Sequence, residues 1–451
     1  MITTKEVELQ ENASVKLKIT VKKKSAKEEY DNLVRKYCQT VQLKGFRKGK
    51  VPADVLIRKF GDSLIAETTE NIIRGSLEDI LESIKHKPLP YSTPTIDSQS
   101  SLDLQKDFVY NVSYDTYPEI ELIDYLGLEY EELKVKITAE DLKRELENLR
   151  EQNSYFIDKE DGVVEKDDNI NIDYVEIDEK GAELAGTRRE SFAFIVGSGY
   201  NSYQFDEDLL SMKNGEEKLI KKNFGQDFEN KELAGRDVKL KVKVNNIKQK
   251  KLPELNDELA QDISDKYNTL DDLKKDLKQK IEETSKNRVR ANSISRLLDQ
   301  IVDKSTIPLP GSMVELELNS QWQSFLGQYN VDEKKLLEQL KEKDNKTKED
   351  MLKQWRPSAE RKLKLLLAVN KMSEKEKIKV GKEEIEKEVK KIADSRSITI
   401  KQAEEELNKG NYLEYMKEDL KKEKLYDLLL ENGKVKPGKS INFLDLLEGN
   451  Y

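Results

Sequence analysis

The segment from residue 45 to residue 52 holds the residue types that come nearest to a phosphate-binding loop. It reads Gly45-Phe46-Arg47-Lys48-Gly49-Lys50-Val51-Pro52. A P-loop requires four residues between its two glycines, then lysine and a serine or threonine whose hydroxyl binds Mg²⁺. Here three residues separate Gly45 from Gly49, and Val51 stands where the hydroxyl is needed. A helix rather than a strand is predicted to lead into the segment, so nucleotide binding is excluded.

Residues for catalysis or metal binding are scarce in the rest of the sequence. His86 is the single histidine, which excludes metal sites built on a histidine pair. It lies between two lysines in a proline-rich stretch typical of an exposed loop, so it is a poor candidate for triad catalysis. Cys38, the single cysteine, falls on the apolar stripe of a predicted helix, where packing explains it better than reactivity. No metal and no cofactor are predicted.

Charge separates the first quarter of the chain from the rest. The 451 residues carry a net charge of −9, and 37% of them are charged. Residues 1–115 contain 19 Lys/Arg and 17 Asp/Glu, whereas the remaining residues contain 61 and 72. A near-neutral head on an acidic body indicates that only the head meets a polyanion. The length predicts about two to four domains. The lack of an apolar leader or an apolar run of about 18 residues predicts a cytoplasmic protein without membrane spans.

The elements around residues 45–52 predict an α+β head domain over residues 1–115. Residues 6–22 are expected to form a half-buried strand, because apolar residues alternate from Val15 to Val21. Helices are predicted from Ser25 and over residues 53–60 and 62–85, and a strand over residues 102–114. Residues 45–52 therefore join two helices of the head.

Residues 45–52, called the basic loop below, have the composition of a contact site for an anionic partner. Phe46 is a large apolar residue in a glycine-flanked turn, where nothing local can bury it. Residues 44–59 hold six basic residues against one acid, Asp54. An aromatic residue beside Arg47 and Lys48 is typical of an interaction hot spot. The alternative is an ordinary solvated turn between two helices.

The run Gly-Phe-Arg-Lys-Gly-Lys-Val-Pro between two helices of a small α+β head resembles the ribosome-binding signature of the bacterial trigger factor family. The resemblance implies that Phe46, Arg47 and Lys48 contact a large-subunit protein and ribosomal RNA at the polypeptide exit tunnel. Gly45 and Gly49 would shape the turn. The resemblance covers the whole chain and implies an elongated, multidomain α+β protein. The implied domains are a ribosome-binding head (1–115), a linker with the first part of a helical domain (116–153), an FKBP-like β-rich module (154–249) and a mainly α-helical substrate-binding domain (250–451).

The middle module is β-rich by pattern and is similar to the FKBP-type peptidyl-prolyl isomerases. The similarity lies in the stretches Phe192-Ala193-Phe194-Ile195-Val196-Gly197 and Met212-Lys213-Asn214-Gly215-Glu216-Glu217. Such an isomerase needs an apolar pocket for the proline ring and no nucleophile, because the twisted amide is favoured by its surroundings. The candidate pocket residues are Tyr174, Phe192, Phe205, Phe224 and Phe228. The alternative is that these aromatic side chains only fill the core of a small module.

The module departs from the FKBP pattern just before Phe205. Family members carry an apolar residue followed by Ile-Pro-Gly there, whereas this chain reads Asn201-Ser202-Tyr203-Gln204. Polar side chains at positions 201 and 202 are therefore expected at the pocket rim, where the backbone N–H of Ser202 can still bind a substrate carbonyl. Weaker apolar contact with the proline ring predicts weak or absent isomerase activity.

The helical body is expected to supply the surface that holds unfolded segments. Met313, Trp322 and Phe325, on the helix after Pro310, are the candidate substrate contacts, with ordinary helix packing as the alternative. The resemblance implies an ATP-independent chaperone whose partners are the large ribosomal subunit and unfolded nascent polypeptides, with no membrane partner. Two rival functions stay open: a free isomerase or holdase that does not bind ribosomes, and an extracytoplasmic chaperone–isomerase. A homodimer of the free protein also stays open.

Overall fold

Helix-rich and sheet-rich stretches follow one another along the chain. The computed structural model describes residues 3–96, 102–159, 162–228, 230–329, 332–344 and 347–451. The chain divides into two compact units, Met1–Glu132 with Arg290–Gly438 and Leu133–Val289 with Lys439–Tyr451. The predicted multidomain α+β fold class is confirmed. Within the described ranges, no helix is long and apolar enough to span a membrane.

The strands of the described residues form three sheets, with antiparallel pairing throughout the registered strand pairs. Their orders are β1-β2-β4-β3, then β6-β10-β7-β8 with β9 beside β10, then β11-β5. The strands are β1 (Thr3–Leu9), β2 (Ser14–Val21), β3 (Thr95–Ile96), β4 (Phe108–Asp115), β5 (Glu129–Lys136), β6 (Tyr155–Asp158), β7 (Asn169–Ile177), β8 (Arg189–Ile195), β9 (Glu217–Asn223), β10 (Asp237–Lys251) and β11 (Lys434–Asn442).

Helices lie between the strands of the head, form most of the helical body and include the last regular element of the described residues. They are α1 (Lys23–Thr40), α2 (Ala53–Ser83), α3 (Ala139–Gln152), α4 (Asp206–Leu209), α5 (Asp257–Ile263), α6 (Leu270–Lys304), α7 (Gly311–Tyr329), α8 (Glu333–Asp344), α9 (Lys348–Lys375), α10 (Lys382–Arg396), α11 (Ile400–Leu407), α12 (Tyr412–Asn432) and α13 (Phe443–Glu448).

The head sheet buries one face against α1 and α2. Alternate residues of β2, from Val15 to Val21, have no exposed surface, which confirms the predicted alternation. The prediction of one strand over residues 6–22 is wrong. A single 3₁₀ turn separates β1 from β2, because Asn12 adopts a left-handed conformation with φ 56° and the chain reverses there.

The helices predicted over residues 53–60 and 62–85 correspond to the two segments of α2, which meet at a kink. Phe60 marks this deviation with a non-helical φ of −127°, and the chain is helical again from Gly61. A glycine costs a helix about 1 kcal/mol relative to alanine. The buried side chains of Leu56 and Leu64, on either side of the deviation, offset this cost by packing in one apolar cluster.

The FKBP-like module is built around β10, which pairs with β6, β7 and β9. One face of β10 is buried through Val238, Leu240, Val242 and Val244. The segment that contains α4 packs against this face and contributes Phe205, with no exposed surface, to the same core. The sheet therefore supplies a rigid base for the aromatic residues described next.

Four helices, α6, α7, α9 and α12, enclose the apolar core of the helical body. The second half of α6 contributes Ile294, Leu297, Leu298, Ile301 and Val302, all of which are buried. They recur at helical spacing on one face, which is the signature of a buried stripe. The same core receives residues from β5 and from the chain that precedes it.

Candidate functional site

Two buried residues hold the ends of the basic loop. Leu43 and Val51 are 7% and 5% exposed, and both pack in the apolar cluster between α1 and α2. The loop therefore leaves the core and returns to it within seven residues, 44–50, all of which are exposed. A short loop held at both ends by a rigid scaffold presents its tip in a defined position.

Two hydrogen-bonded turns shape the loop between these ends. The backbone N–H of Phe46 donates to the carbonyl oxygen of Leu43 at 3.0 Å. The backbone N–H of Lys50 donates to the carbonyl oxygen of Arg47 at 3.0 Å. Each turn spans four residues and is of the β-turn class, so the backbone reverses twice.

Both loop glycines adopt a conformation that other residues avoid. The φ angle is +96° at Gly45 and +79° at Gly49. A side chain at such an angle costs about 1–2 kcal/mol. The two glycines thus determine the shape of the loop, and the three residues 46–48 lie between them.

The tip combines an aromatic ring with positive charge that has no local counter-charge. Phe46 is 37% exposed, and Arg47 and Lys48 are exposed. Within the described part of the chain, neither of these two cations forms an ion pair. Long cationic side chains without a local partner are available to an anionic surface, because no ion pair within the chain has to be broken first.

The second candidate site is an aromatic cluster in the FKBP-like module. Tyr174 from β7 makes edge-to-face contacts with Phe192 from β8 and with Phe205 before α4, both at 5.6 Å between ring centroids. Phe194 also meets Phe205 at 6.0 Å. Edge-to-face pairs at these distances are favourable beyond their buried area. The fold therefore brings three of the five predicted pocket residues into direct ring contact.

The remaining two predicted pocket residues form a pair of their own. Phe224 and Phe228 lie 4.6 Å apart between ring centroids. Both pack against the same core cluster, Phe224 as a buried member and Phe228 as a partly buried one. They border the module core at the segment after β9.

The structure places Asn201 differently from the expectation of a polar residue at the pocket rim. Its side chain is buried, with 4% exposure. The amide oxygen accepts the backbone N–H of Phe205 at 3.0 Å, and the amide nitrogen donates to the Asp206 carboxylate. Asn201 therefore satisfies the backbone at the start of α4, in the manner of a helix cap. Ser202 is exposed.

Gln204 occupies the turn position where FKBP members carry glycine. Its φ angle is +49°, in the left-handed region. The turn is thus kept although the glycine is gone, and the strain falls on Gln204.

Replacing Gln204 by glycine is expected to stabilise the module by about 0.5–1 kcal/mol. The substitution removes left-handed strain of about 1–2 kcal/mol and adds part of that back as unfolded-state entropy. Amide hydrogen exchange of β10 in the full chain measures the effect. Ser202→Gly is the matched control, because Ser202 has a negative φ and should lose stability. A loss at both positions would contradict the prediction.

A charged and aromatic network flanks the cluster on the side of β7. The Tyr203 hydroxyl donates to Glu176 Oε1 at 2.8 Å, and Arg236 Nη2 lies 2.8 Å from Glu176 Oε2. Glu176 is 4% exposed. The pKa of Tyr203 is raised above its ordinary value, first by burial and then by its hydrogen bond to the Glu176 carboxylate. The sequence analysis did not assign a role to Tyr203 or Glu176. The signal for Tyr203 was its place in the stretch that departs from the FKBP pattern.

Two of the three candidate substrate contacts in the helical body lie in its interior. Trp322 has no exposed surface and Met313 is 8% exposed. The indole N–H of Trp322 donates to Glu333 Oε1 at 2.8 Å, and its ring lies 6.0 Å from that of Trp355. Phe325 is half-buried and lines a cavity of about 410 Å³ with Trp355. Of the three, Phe325 is the one that the fold leaves at a surface.

The sheet and its aromatic cluster define an FKBP-type module, and comparison with known families agrees. Residues 161–246 match the family described as "FKBP-type peptidyl-prolyl cis-trans isomerase". Residues 3–149 match "Bacterial trigger factor protein (TF)", and residues 269–431 match its C-terminus. The chain belongs to the trigger factor family.

Relatives along the full length support this assignment. The chain is similar to the trigger factor of Treponema denticola, with 36% identity over 98% of this chain and 99% of the relative. It is 33% identical to the trigger factor of Borrelia turicatae over 100% of this chain and 99% of the relative. A solved structure described as "Promiscuous Substrate Recognition in Folding and Assembly Activities of the Trigger Factor Chaperone" superimposes with a TM-score of 0.50. Its sequence identity is 22%, and the match covers 94% of this chain and 99% of that one. That likeness concerns the fold.

Proposed function

We propose that this protein is an ATP-independent, cytoplasmic chaperone that docks on the large ribosomal subunit at the exit tunnel and shields nascent chains. Docking is assigned to the basic loop. The observation that carries the proposal is the loop tip, where exposed Phe46, Arg47 and Lys48 stand between two glycines of positive φ. The family to which the chain belongs supports the same conclusion.

The charge of the molecule limits where a polyanion can bind. The whole chain carries a net charge of −9, which repels ribosomal RNA at long range. The region around the loop differs, because residues 44–59 hold six cations and one acid. Arg47 and Lys48 would contact RNA phosphates, and Phe46 would enter an apolar depression on a large-subunit protein.

Ribosome binding is expected to weaken about 10- to 100-fold between 50 and 200 mM monovalent salt. If two to four of the six cations in residues 44–59 neutralise phosphates, they release a corresponding number of counterions, and the affinity falls with a corresponding power of the salt concentration. Co-sedimentation of the intact protein with ribosomes across a salt series measures the slope. Arg47→Ala/Lys48→Ala is expected to reduce the slope by about 1–2. Binding that does not respond to salt would contradict docking through the loop, and no binding at any salt concentration would leave a free isomerase or holdase.

The FKBP-type module adds isomerisation of X-Pro bonds to the proposed function. The barrier to rotation is about 18–20 kcal/mol in water, and an apolar environment lowers it without proton transfer. The pocket is assigned to Tyr174, Phe192 and Phe205, with Phe224 and Phe228 at its border, and the Ser202 N–H binds the substrate carbonyl. Activity is expected to be weak.

Client binding is assigned to apolar surface of the helical body. The related solved structure is described by promiscuous substrate recognition, and a surface that binds through apolar area has that property. Phe325 beside Trp355 is the proposed contact, because its ring borders an open cavity.

A further inference from the structure

Phe205 lies at the base of the aromatic cluster and is closed off from solvent. Its side chain has no exposed surface. Other rings of the cluster contact its ring directly. A proline ring that entered this pocket would have to pack against Phe205, the deepest of the aromatic rings. Something in the chain itself therefore covers the position that a proline ring would take.

Among the described rings that contact Phe205, Tyr203 is the one that lies parallel to it. The two rings are nearly parallel, with 11° between their planes and 6.2 Å between centroids, which is an offset stack. The Tyr203 ring also meets Tyr174 edge-to-face at 5.6 Å. A proline ring would seek the same apolar face and the same edge. Tyr203 thus makes contacts of the kind that a substrate proline needs.

A hydrogen bond holds the ring in this position. The Tyr203 hydroxyl donates to Glu176 Oε1 at 2.8 Å, and Arg236 pairs with the other carboxylate oxygen at 2.8 Å. The Glu176 carboxylate is thereby satisfied on both oxygens in a position that is 4% exposed. A buried, doubly bonded carboxylate is a fixed acceptor, so it defines one orientation of the Tyr203 ring.

The backbone at Tyr203 allows this orientation. Gln204 follows in a left-handed conformation, and Asn201 fixes the turn from the other side through the Phe205 N–H. The turn is therefore rigid at both ends, while the Tyr203 side chain itself remains partly exposed. Rotation of one side chain would uncover Phe205 without any change in the sheet.

We propose that Tyr203 occupies the proline subsite of its own module and determines how well the module binds X-Pro segments. This inference rests on the proposed isomerase function. The uncovered state binds proline, and the covered state does not. The apparent affinity equals the affinity of the uncovered state multiplied by the fraction of molecules that are uncovered. A stacked ring pair and a hydrogen bond together correspond to a reduction of about 10- to 100-fold.

Tyr203→Ala in the full-length protein is the main test. A protease-free isomerisation assay with a tetrapeptide that contains Phe-Pro supplies kcat/KM. The expected result is a rise of about tenfold or more over the wild type. Tyr200→Ala is the matched control, because Tyr200 lies in the same stretch, is 81% exposed and should leave kcat/KM within about twofold.

Tyr203→Phe provides a second variant that keeps the ring and the packing. It removes the hydrogen bond to Glu176, and kcat/KM is expected to rise about two- to tenfold. Hydrogen exchange of the β10 amides shows whether each variant keeps the module folded. If Tyr203→Ala loosens the module, the result with Tyr203→Phe decides.

The outcomes separate this inference from the proposed isomerase function. Equal, measurable kcat/KM in the wild type, Tyr203→Ala and Tyr203→Phe would overturn the role of Tyr203 and leave the isomerase standing. A fall in Tyr203→Ala with an intact module would also overturn it, since Tyr203 would then be a substrate contact. No turnover and no peptide binding in any variant would overturn both. None of these results bears on ribosome docking.

Discussion

Replacing Phe46, Arg47 and Lys48 together by alanine is expected to weaken ribosome binding by a factor of about 100 or more. The substitution removes an exposed aromatic ring, worth about 1–2 kcal/mol or more at a hot spot, and two phosphate contacts. Each 1.4 kcal/mol is tenfold in affinity. Co-sedimentation of the intact protein with ribosomes, at a fixed salt concentration near physiological, measures the change.

The fold should be unaffected by this substitution. Residues 44–50 are exposed, and the loop shape depends on Gly45 and Gly49 and on the buried ends Leu43 and Val51. None of these four residues is altered. Thermal unfolding should therefore be unchanged, since exposed side chains away from caps and cores shift stability by less than about 0.5 kcal/mol.

A control variant with the same change in net charge lies elsewhere on the head. Leu9→Ala/Lys24→Ala/Lys27→Ala also removes one exposed apolar residue and two exposed lysines, with Leu9 56% exposed. It should pellet with ribosomes as the wild type does. Equal pelleting of the loop variant and the wild type would show that the loop does not dock. Equal loss in both triple variants would show that overall charge, and not the loop, governs binding.

Trp322→Ala is expected to destabilise the helical body by about 3–5 kcal/mol. The side chain is fully buried, lies with its ring 6.0 Å from that of Trp355 and donates its indole N–H to Glu333. Its removal creates a cavity and leaves the Glu333 carboxylate without this donor, although Lys348 remains at 2.8 Å. Because the chain has two tryptophans, Trp355 is the sole tryptophan in this variant, and its fluorescence reports urea unfolding.

Phe325→Ala separates a surface role from this core role. Phe325 is half-buried, so its loss should cost less than about 1.5 kcal/mol of stability. Binding of a reduced and alkylated unfolded polypeptide should weaken a few-fold in this variant. If Trp322→Ala kept its stability within about 1 kcal/mol and lost affinity for the unfolded polypeptide, Trp322 would be a substrate contact after all.

Sequence patterns were sufficient wherever periodicity determined burial. The alternation from Val15 to Val21 predicted a buried face that the structure confirms, and the apolar residues at helical spacing from Ile294 to Val302 lie on a second buried face. Both patterns depend on many residues at a fixed spacing, so a single exception does not change the outcome. The turn at Asn12, in contrast, depends on one residue in a rare conformation, and alternation continues on both sides of it.

Single side chains at the sites were harder to place. The amide of Asn201 was expected to face the pocket, but it caps the backbone of α4, because a buried N–H needs an acceptor. Trp322 was expected at a surface, but its side chain is buried: its indole N–H donates to Glu333, and the Lys348 ammonium lies over its ring. Tyr203 gave no periodic signal at all. Tyr203 depends on a partner distant in sequence, Glu176, whereas Asn201 binds a backbone N–H only four residues away that has no other marker in the sequence.

The division of the chain into units also sets an order of events during synthesis. The FKBP-type module is continuous, and its first strand, β6, pairs with the end of β10, so the module is complete once residue 251 has been made. The core of the first unit needs both Tyr130 and Leu429. Translation proceeds at roughly 5–20 residues per second, so roughly 10–40 s pass between the synthesis of residue 251 and that of Leu429. A molecule of this family therefore carries an unfinished core through most of its own translation, and early in synthesis it is itself a nascent chain in need of shielding.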